Sequence, residues 1–232
     1  MKYNKAITFS FDDGHTTDRK LIELLNKYNL KATLNLNSGT MVRYCGWRYK
    51  EKDYFKLEPD EAKKLYKGHE IASHGMCHAN LQTSNDANVD MEIKKDIEFL
   101  EEMFSQKIEG FVYACGRYDE RTLQKLKECG IKYARKVPTT ESYALPQGNM
   151  LECEYSFCVD DCLADDKFKK TVEDFLNSCD NTPKILSLWG HSFAQDGNDL
   201  WEKLEDFFKT ISGRNDILYG TNGEVFKYFN LI

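Results

Sequence analysis

The chain has 232 residues, 41% of them hydrophobic and 13% aromatic, enough to bury one sizeable core, and single α/β domains of this length are common. Its formal net charge is -6, with basic residues dispersed rather than gathered on one helix, which argues against nucleic acid or an acidic membrane as a partner. Residues 1–8 lack the apolar stretch of a signal peptide and no later stretch could span a bilayer, so the expectation is a cytoplasmic protein with no membrane span.

In chain order, 6–11 reads as an apolar strand. Leu21, Leu24, Leu25 and Tyr28 recur at helical spacing, and 32–36 is a second strand, completing one βαβ unit. Pro59 opens a short helix that stops at Gly68, and strand 69–73 follows. Ile93, Ile97, Leu100 and Phe104 form the stripe of a longer helix before strand 108–113. Leu123 and Leu126 mark a helix ending near Gly130, followed by a short strand at 132–134. Phe168, Val172, Phe175 and Cys179 mark another, ahead of strand 184–189; Leu200, Leu204, Phe208 and Ile211 give the next, then strand 217–219 and a last helix at 224–229.

Strands alternating with helices argue for βα units on a parallel sheet. Two stretches lack this rhythm, 41–55 and 137–162, and are expected as long loops. The first carries Tyr44, Trp47, Tyr49 and Tyr54, whose rings suit either a sugar platform or packing of the loop onto the body of the fold. Eight cysteines are expected reduced in the cytosol, mostly as small buried apolar side chains.

Three strand ends carry chemistry. Thr8-Phe9-Ser10-Phe11-Asp12-Asp13-Gly14 ends a strand in two carboxylates, at the end where parallel α/β folds build active sites. Alone, the same residues make an ordinary turn. His74-Gly75-Met76-Cys77-His78 follows the strand at 69–73; two imidazoles four apart can reach one divalent ion across a turn, although a pair of satisfied surface histidines fits the same spacing. One carboxylate with two histidines leaves positions open for water and substrate, as a catalytic metal requires. Leu186-Ser187-Leu188-Trp189-Gly190-His191-Ser192 ends a third strand in a histidine, the side chain best suited to proton transfer near neutral pH.

In order and spacing these segments resemble the first, second and fifth motifs of the polysaccharide deacetylase family (NodB homology domain, carbohydrate esterase family four), over roughly 7–191. The resemblance implies a single-domain distorted (β/α) barrel, α/β in class, with about seven parallel strands across 1–232. It implies Asp13, His74 and His78 as the metal triad, Asp12 as general base and His191 as general acid. The reaction implied is metal-dependent removal of an N-acetyl group from an amino sugar or short glycan, releasing acetate. A non-sugar amide or formamide as substrate, or a silent carbohydrate-binding protein, are the alternatives. Zinc is the first expectation for the ion, with cobalt, nickel and manganese also suiting these ligands.

Two motifs depart from the family pattern. Where the family often has an arginine, the third reads Phe111-Val112-Tyr113-Ala114-Cys115-Gly116, with Val112 in the arginine's place and a backbone donor near Cys115 left for an oxyanion. The fourth, with its aspartate and tryptophan, is missing from the expected region, which reads Tyr133-Ala134-Arg135. Because 132–134 is a strand, Arg135 falls at the same rim as Asp12, and its planar fork suits a carboxylate. Arg135 is therefore expected to orient Asp12 in place of the missing arginine.

Overall fold

The computed structural model describes residues 2–42 and 46–232. The chain opens with β1 (Lys5–Asp12), α1 (Asp18–Lys27) and β2 (Thr33–Leu36), then a hairpin of β3 (Gly46–Tyr49) and β4 (Lys52–Phe55). Next come α2 (Pro59–Leu65), β5 (Glu70–Ser73), α3 (Asp86–Asp90), a π-helical turn (Met91–Lys95) and α4 (Asp96–Phe104). They lead to β6 (Gly110–Val112), α5 (Glu120–Glu128), β7 (Tyr133–Thr139), β8 (Cys153–Tyr155), β9 (Phe157–Cys158), α6 (Val159–Cys162) and α7 (Asp166–Asn177). The chain finishes with β10 (Lys184–Gly190), α8 (Ser192–Gly197), α9 (Trp201–Ile211), β11 (Ile217–Tyr219) and α10 (Asn222–Tyr228).

The main sheet runs β8-β7-β6-β5-β2-β1-β10-β9, all parallel, with β11 added to β1. Its two ends are one stretch of chain. Arg135 of β7 pairs with Cys153, Leu188 of β10 pairs with Phe157, and between them the Ser156 N–H donates to the Ser187 carbonyl at 2.8 Å. Residues 153–158 thus bridge the two edges and nearly close the sheet into a barrel, removing the exposed edges of an open sheet. All seven expected strands are present. The expectation of structureless loops at 41–55 and 137–162 is corrected: the first holds the β3–β4 hairpin and the second holds β8, β9 and α6. These strands are two to four residues long, too short for their periodicity to register.

β1 is buried along its whole length, as expected of a parallel strand covered on both faces. Ile7, Phe9 and Phe11 pack outward against the helices, in one cluster with Leu21 and Leu25 of α1 and Leu204 and Phe208 of α9. Burying each such side chain contributes about 1.5–3 kcal/mol. Ala6, Thr8, Ser10 and Asp12 alternate with these residues. At the lower end Ala6 clusters with Tyr133, Tyr155 and Ile185, closed from beneath by Val225, Phe226 and Phe229. Above this plug the lining turns polar: the Thr8 hydroxyl donates to Asn222 Oδ1 (2.7 Å), and Asn35 Nδ2 donates to Ser10 Oγ (2.8 Å) and Asp12 Oδ1 (2.7 Å). Gly110 is required here, because a Cβ would stand 2.3 Å from the Tyr133 ring.

Among the described residues no helix is long and apolar enough to cross a membrane. The expectation of mostly buried cysteines is also corrected. Of the described ones only Cys153 is buried, while Cys77, Cys115 and Cys179 are exposed; Cys45 and Tyr44 lie outside the described residues.

Candidate active site

Asp12 and Asp13 sit where β1 ends. Asp13 has φ +82°, an uncommon conformation for a residue with a side chain, and its N–H donates to the Asn35 carbonyl at 2.9 Å, so the strand ladder holds the turn in place. His74 follows β5 and donates its N–H to Leu36 O (2.8 Å); four residues on, His78 also has a positive φ, +59°. Strained backbone of this kind clusters at functional sites.

Asp13, His74 and His78 each present a ligand atom, and these atoms lie within 4.8 Å of one another. His74 Nδ1 is 2.8 Å from the Val112 carbonyl. A carbonyl only accepts, so Nδ1 carries the proton and Nε2 keeps its lone pair toward Asp13 and His78, the arrangement that second partners impose on metal-binding imidazoles. Burial, opposed by the charges of Asp12 and Asp13, brings the His74 pKa down to about 4, leaving it neutral as a ligand must be. The residues therefore fit a divalent metal.

Glu92 shapes the turn that carries His78. Its carboxylate, in the π-helical turn, accepts from the Cys77 N–H (3.0 Å) and the Ala79 N–H (3.3 Å) on either side of His78, and its carbonyl accepts from the Met76 N–H (3.1 Å). Gly75, at φ +79°, makes room for it, since a Cβ there would lie 2.9 Å from Glu92 Oε2.

Asp12 is held by two donors, Asn35 Nδ2 on Oδ1 and Arg135 Nη2 on Oδ2. Both partners of the ion pair are buried, at 1% and 3% exposure. Burial opposes the charge on Asp12, but Arg135, aided by His74 and His191, outweighs it and holds the carboxyl below its ordinary range. Val112 and Arg135 are register partners on β6 and β7, so the two side chains leave the sheet on the same face and a guanidinium from either strand approaches the same place. Arg135 is steadied by the Trp189 ring, 4.1 Å from its guanidinium carbon.

His191, at the end of β10, places Nε2 3.8 Å from Asp12 Oδ2. Its Nδ1 lies 2.6 Å from Asp160 Oδ2, and Asp160 Oδ1 accepts from the His191 N–H (2.9 Å) and from Gln195 Nε2 (2.7 Å). Burial lowers the His191 pKa, but the bond to Asp160 and the charges of Asp160, Asp12 and Asp13 carry it up to about 9. An aspartate outside the motifs read from the sequence thus holds this histidine. It lies on α6, inside a stretch read as a loop, and its only sequence signal is the Asp160-Asp161 pair after Val159.

Sequence reasoning also missed Lys56 and His15. Lys56 Nζ donates to the Asp13 carbonyl (2.7 Å) and to Oδ1 (3.2 Å). Burial opposes the charge on Asp13, but Lys56, with His74, His191 and His15, holds its carboxyl far down. Cys115 lies in a one-turn 3-10 segment just beyond β6, with φ +52°.

The sequence profile of the polysaccharide deacetylase family matches residues 2–134, more than half of the chain. The chain belongs to the polysaccharide deacetylase family. No curated protein matches it in sequence. Among solved structures, the putative polysaccharide deacetylase of Mycobacterium smegmatis is similar in fold at 16% identity and TM-score 0.68, over 100% of this chain and 92% of that one. A family 4 acetyl xylan esterase from Clostridium thermocellum, in complex with a cobalt ion, gives 14% and 0.62 over 97% and 92%. The Streptococcus pyogenes deacetylase PplD, in complex with acetate, gives 20% and 0.53 over 62% of this chain and 61% of that one, so the chain spans less than two thirds of that relative. Membership supports deacetylase chemistry as a class, and the barrel seen here is that of the family's carbohydrate esterases.

Proposed function

We propose that the chain is a metal-dependent N-deacetylase acting on an N-acetylated amino sugar or short glycan and releasing acetate. The observation that carries this reading is a carboxylate and an imidazole 3.8 Å apart, each with its own counter-charge, beside a cluster of three metal-ligating atoms. An amide needs activation of its carbonyl and a proton for its departing nitrogen. A divalent metal on Asp13, His74 and His78 would supply the first by Lewis acidity and would lower the pKa of a water in the site.

The chain's own residues supply the rest. Asp12, kept ionised by Arg135, accepts the proton of the attacking water. Asn35 and Arg135 hold one oxygen each, which fixes the carboxylate's orientation. His191 holds a proton on Nδ1 against Asp160 and a second on Nε2, facing the site; that second proton is delivered to the amine as the C–N bond breaks. With its pKa at about 9, His191 is charged at neutral pH and acts as an acid from the outset.

Acetate release from a panel of N-acetylated oligosaccharides, after loading with zinc, cobalt, nickel or manganese, tests the reading. Release from at least one glycan, abolished by Asp12→Asn, is expected; no release with any metal would overturn it.

A further inference from the structure

Asp18, the first residue of α1, is a carboxylate at 1% exposure that the chemistry above does not use. A buried carboxylate is unfavourable unless its oxygens are paired, and here hydroxyls pair them. Oδ2 accepts from the Tyr66 hydroxyl at the end of α2, and Oδ1 accepts from the Ser192 hydroxyl at the start of α8. Burial pushes the carboxyl up to about 6; the two hydroxyls and Lys56 oppose this, while Asp13 adds to it. At neutral pH Asp18 is ionised and only accepts. With its proton committed to Asp18, Ser192 Oγ accepts in turn from Thr17 Oγ1, 2.7 Å away.

This network joins the two segments that carry the acid and the base. The ladder between β1 and β10 ends at the pairing of Phe11 with Gly190, so Asp12 and His191 each lie one residue past its last pair. Asp160 holds the His191 ring and its N–H, but Asp160 is not part of the β1 segment. Ser192 directly follows His191 and opens α8. On the other side, the Asp18 N–H donates to the His15 carbonyl at 2.9 Å, which ties the carboxylate to the turn that follows Asp12 and Asp13. Tyr66 packs under that turn: a Cβ on Gly14, at φ +65°, would stand 3.6 Å from its hydroxyl oxygen.

We propose that Asp18 is a positioning residue for the reaction, setting the spacing of His191 and Asp12 through its bond to Ser192. The proposal rests on the deacetylase reading for the turnover it affects, and on the Asp18–Ser192 contact for the geometry.

Variants of the full chain separate this role from support of the fold. Ser192→Ala and Asp18→Asn each break the tie. Tyr66→Phe removes an equivalent hydroxyl from the same carboxylate without touching the segment of His191. Acetate release from triacetylchitotriose and metal content are measured beside the His191 titration, followed by imidazole NMR in metal-free protein. In Ser192→Ala and in Asp18→Asn, kcat should fall about tenfold to a hundredfold, the effect of displacing a reacting group by up to roughly 1 Å, at unchanged KM and metal content. The double variant should fall no further than the single ones, because the two residues act as one unit. The His191 pKa, about 9 in the wild type, should drop in Ser192→Ala as the imidazole moves away from Asp12. In Tyr66→Phe both that pKa and kcat should stay near the wild type. Wild-type kcat with an unmoved His191 titration in Ser192→Ala would overturn the tie, as would a Tyr66→Phe protein that loses as much turnover. A wild type that releases no acetate, with the His191 titration moved in Ser192→Ala and not in Tyr66→Phe, would end the deacetylase reading and leave the tie standing.

Discussion

Arg135→Met tests the most buried electrostatic contact in the site. The substitution keeps an unbranched apolar stem against Trp189 but removes the guanidinium, leaving Asp12 with the Asn35 donor at 2.7 Å as its remaining side-chain bond within hydrogen-bond distance. With the pair at 1% and 3% exposure, losing one partner strands a charge in the barrel, a change that costs about 3–5 kcal/mol. For a domain of this size the melting temperature falls about 2–4 °C per kcal/mol, so a drop of roughly 6–20 °C is expected at pH 7. The pH dependence has a definite sign. In the wild type the Asp12 pKa is lowered from its ordinary 3.8, so the pair stabilises the fold above that value and the contribution is lost as pH falls through the depressed pKa. In the variant burial acts without Arg135 and the carboxyl titrates higher, so protonation relieves the stranded charge and the gap between the two proteins narrows toward pH 4. Denaturation of metal-free protein at pH 7 and pH 4.5, with turnover and metal content at pH 7, measures this. A variant within about 1 kcal/mol of the wild type at pH 7, with unchanged turnover, would refute the claim that Arg135 holds Asp12.

The double variant His74→Ala, His78→Ala should lose nearly all bound metal on elemental analysis; stoichiometric retention would remove the triad. The His191 pKa is raised to about 9, so the protonated acid is present below that value and kcat should fall as pH rises through it. Asp160→Asn should move this limb toward the ordinary 6.5 and slow turnover roughly ten- to a hundredfold, the usual effect of losing an orienting partner; an unmoved limb would show that Asp160 does not set it. Glu92→Ala frees the amides around His78 and should weaken metal affinity by a similar tenfold to hundredfold, read as a dissociation constant by competition with a chelator, with Glu92→Gln less affected. Equal affinities in all three proteins would mean the turn holds itself.

The strand ends were legible in the sequence because an apolar strand with a polar stop is a local pattern. Periodicity places 6–11, 69–73 and 184–189 as strands, and the residues beyond them, Asp12 and Asp13, His74 and His78, and His191, fall at one rim in any parallel barrel. The same counting puts Arg135 at that rim, yet only the pairing of Val112 with Arg135 gives the reason a guanidinium from the next strand reaches the same carboxylate 123 residues away. The tertiary structure alone decided the rest. β8 and β9 have no periodicity to read and exist because two open sheet edges each need a partner. Asp160 reaches His191 across 31 residues of sequence, and Glu92 reaches the His78 turn through a π-helical register that side-chain spacing does not announce. Lys56 meets Asp13, and Trp47 meets His15, because the β3–β4 hairpin and the residues after it are hydrogen-bonded onto residues 14–16. Hydrophobic periodicity records which face of an element is buried, whereas a charge or a ring finds its partner through the folded backbone, and that distance is not written in local sequence.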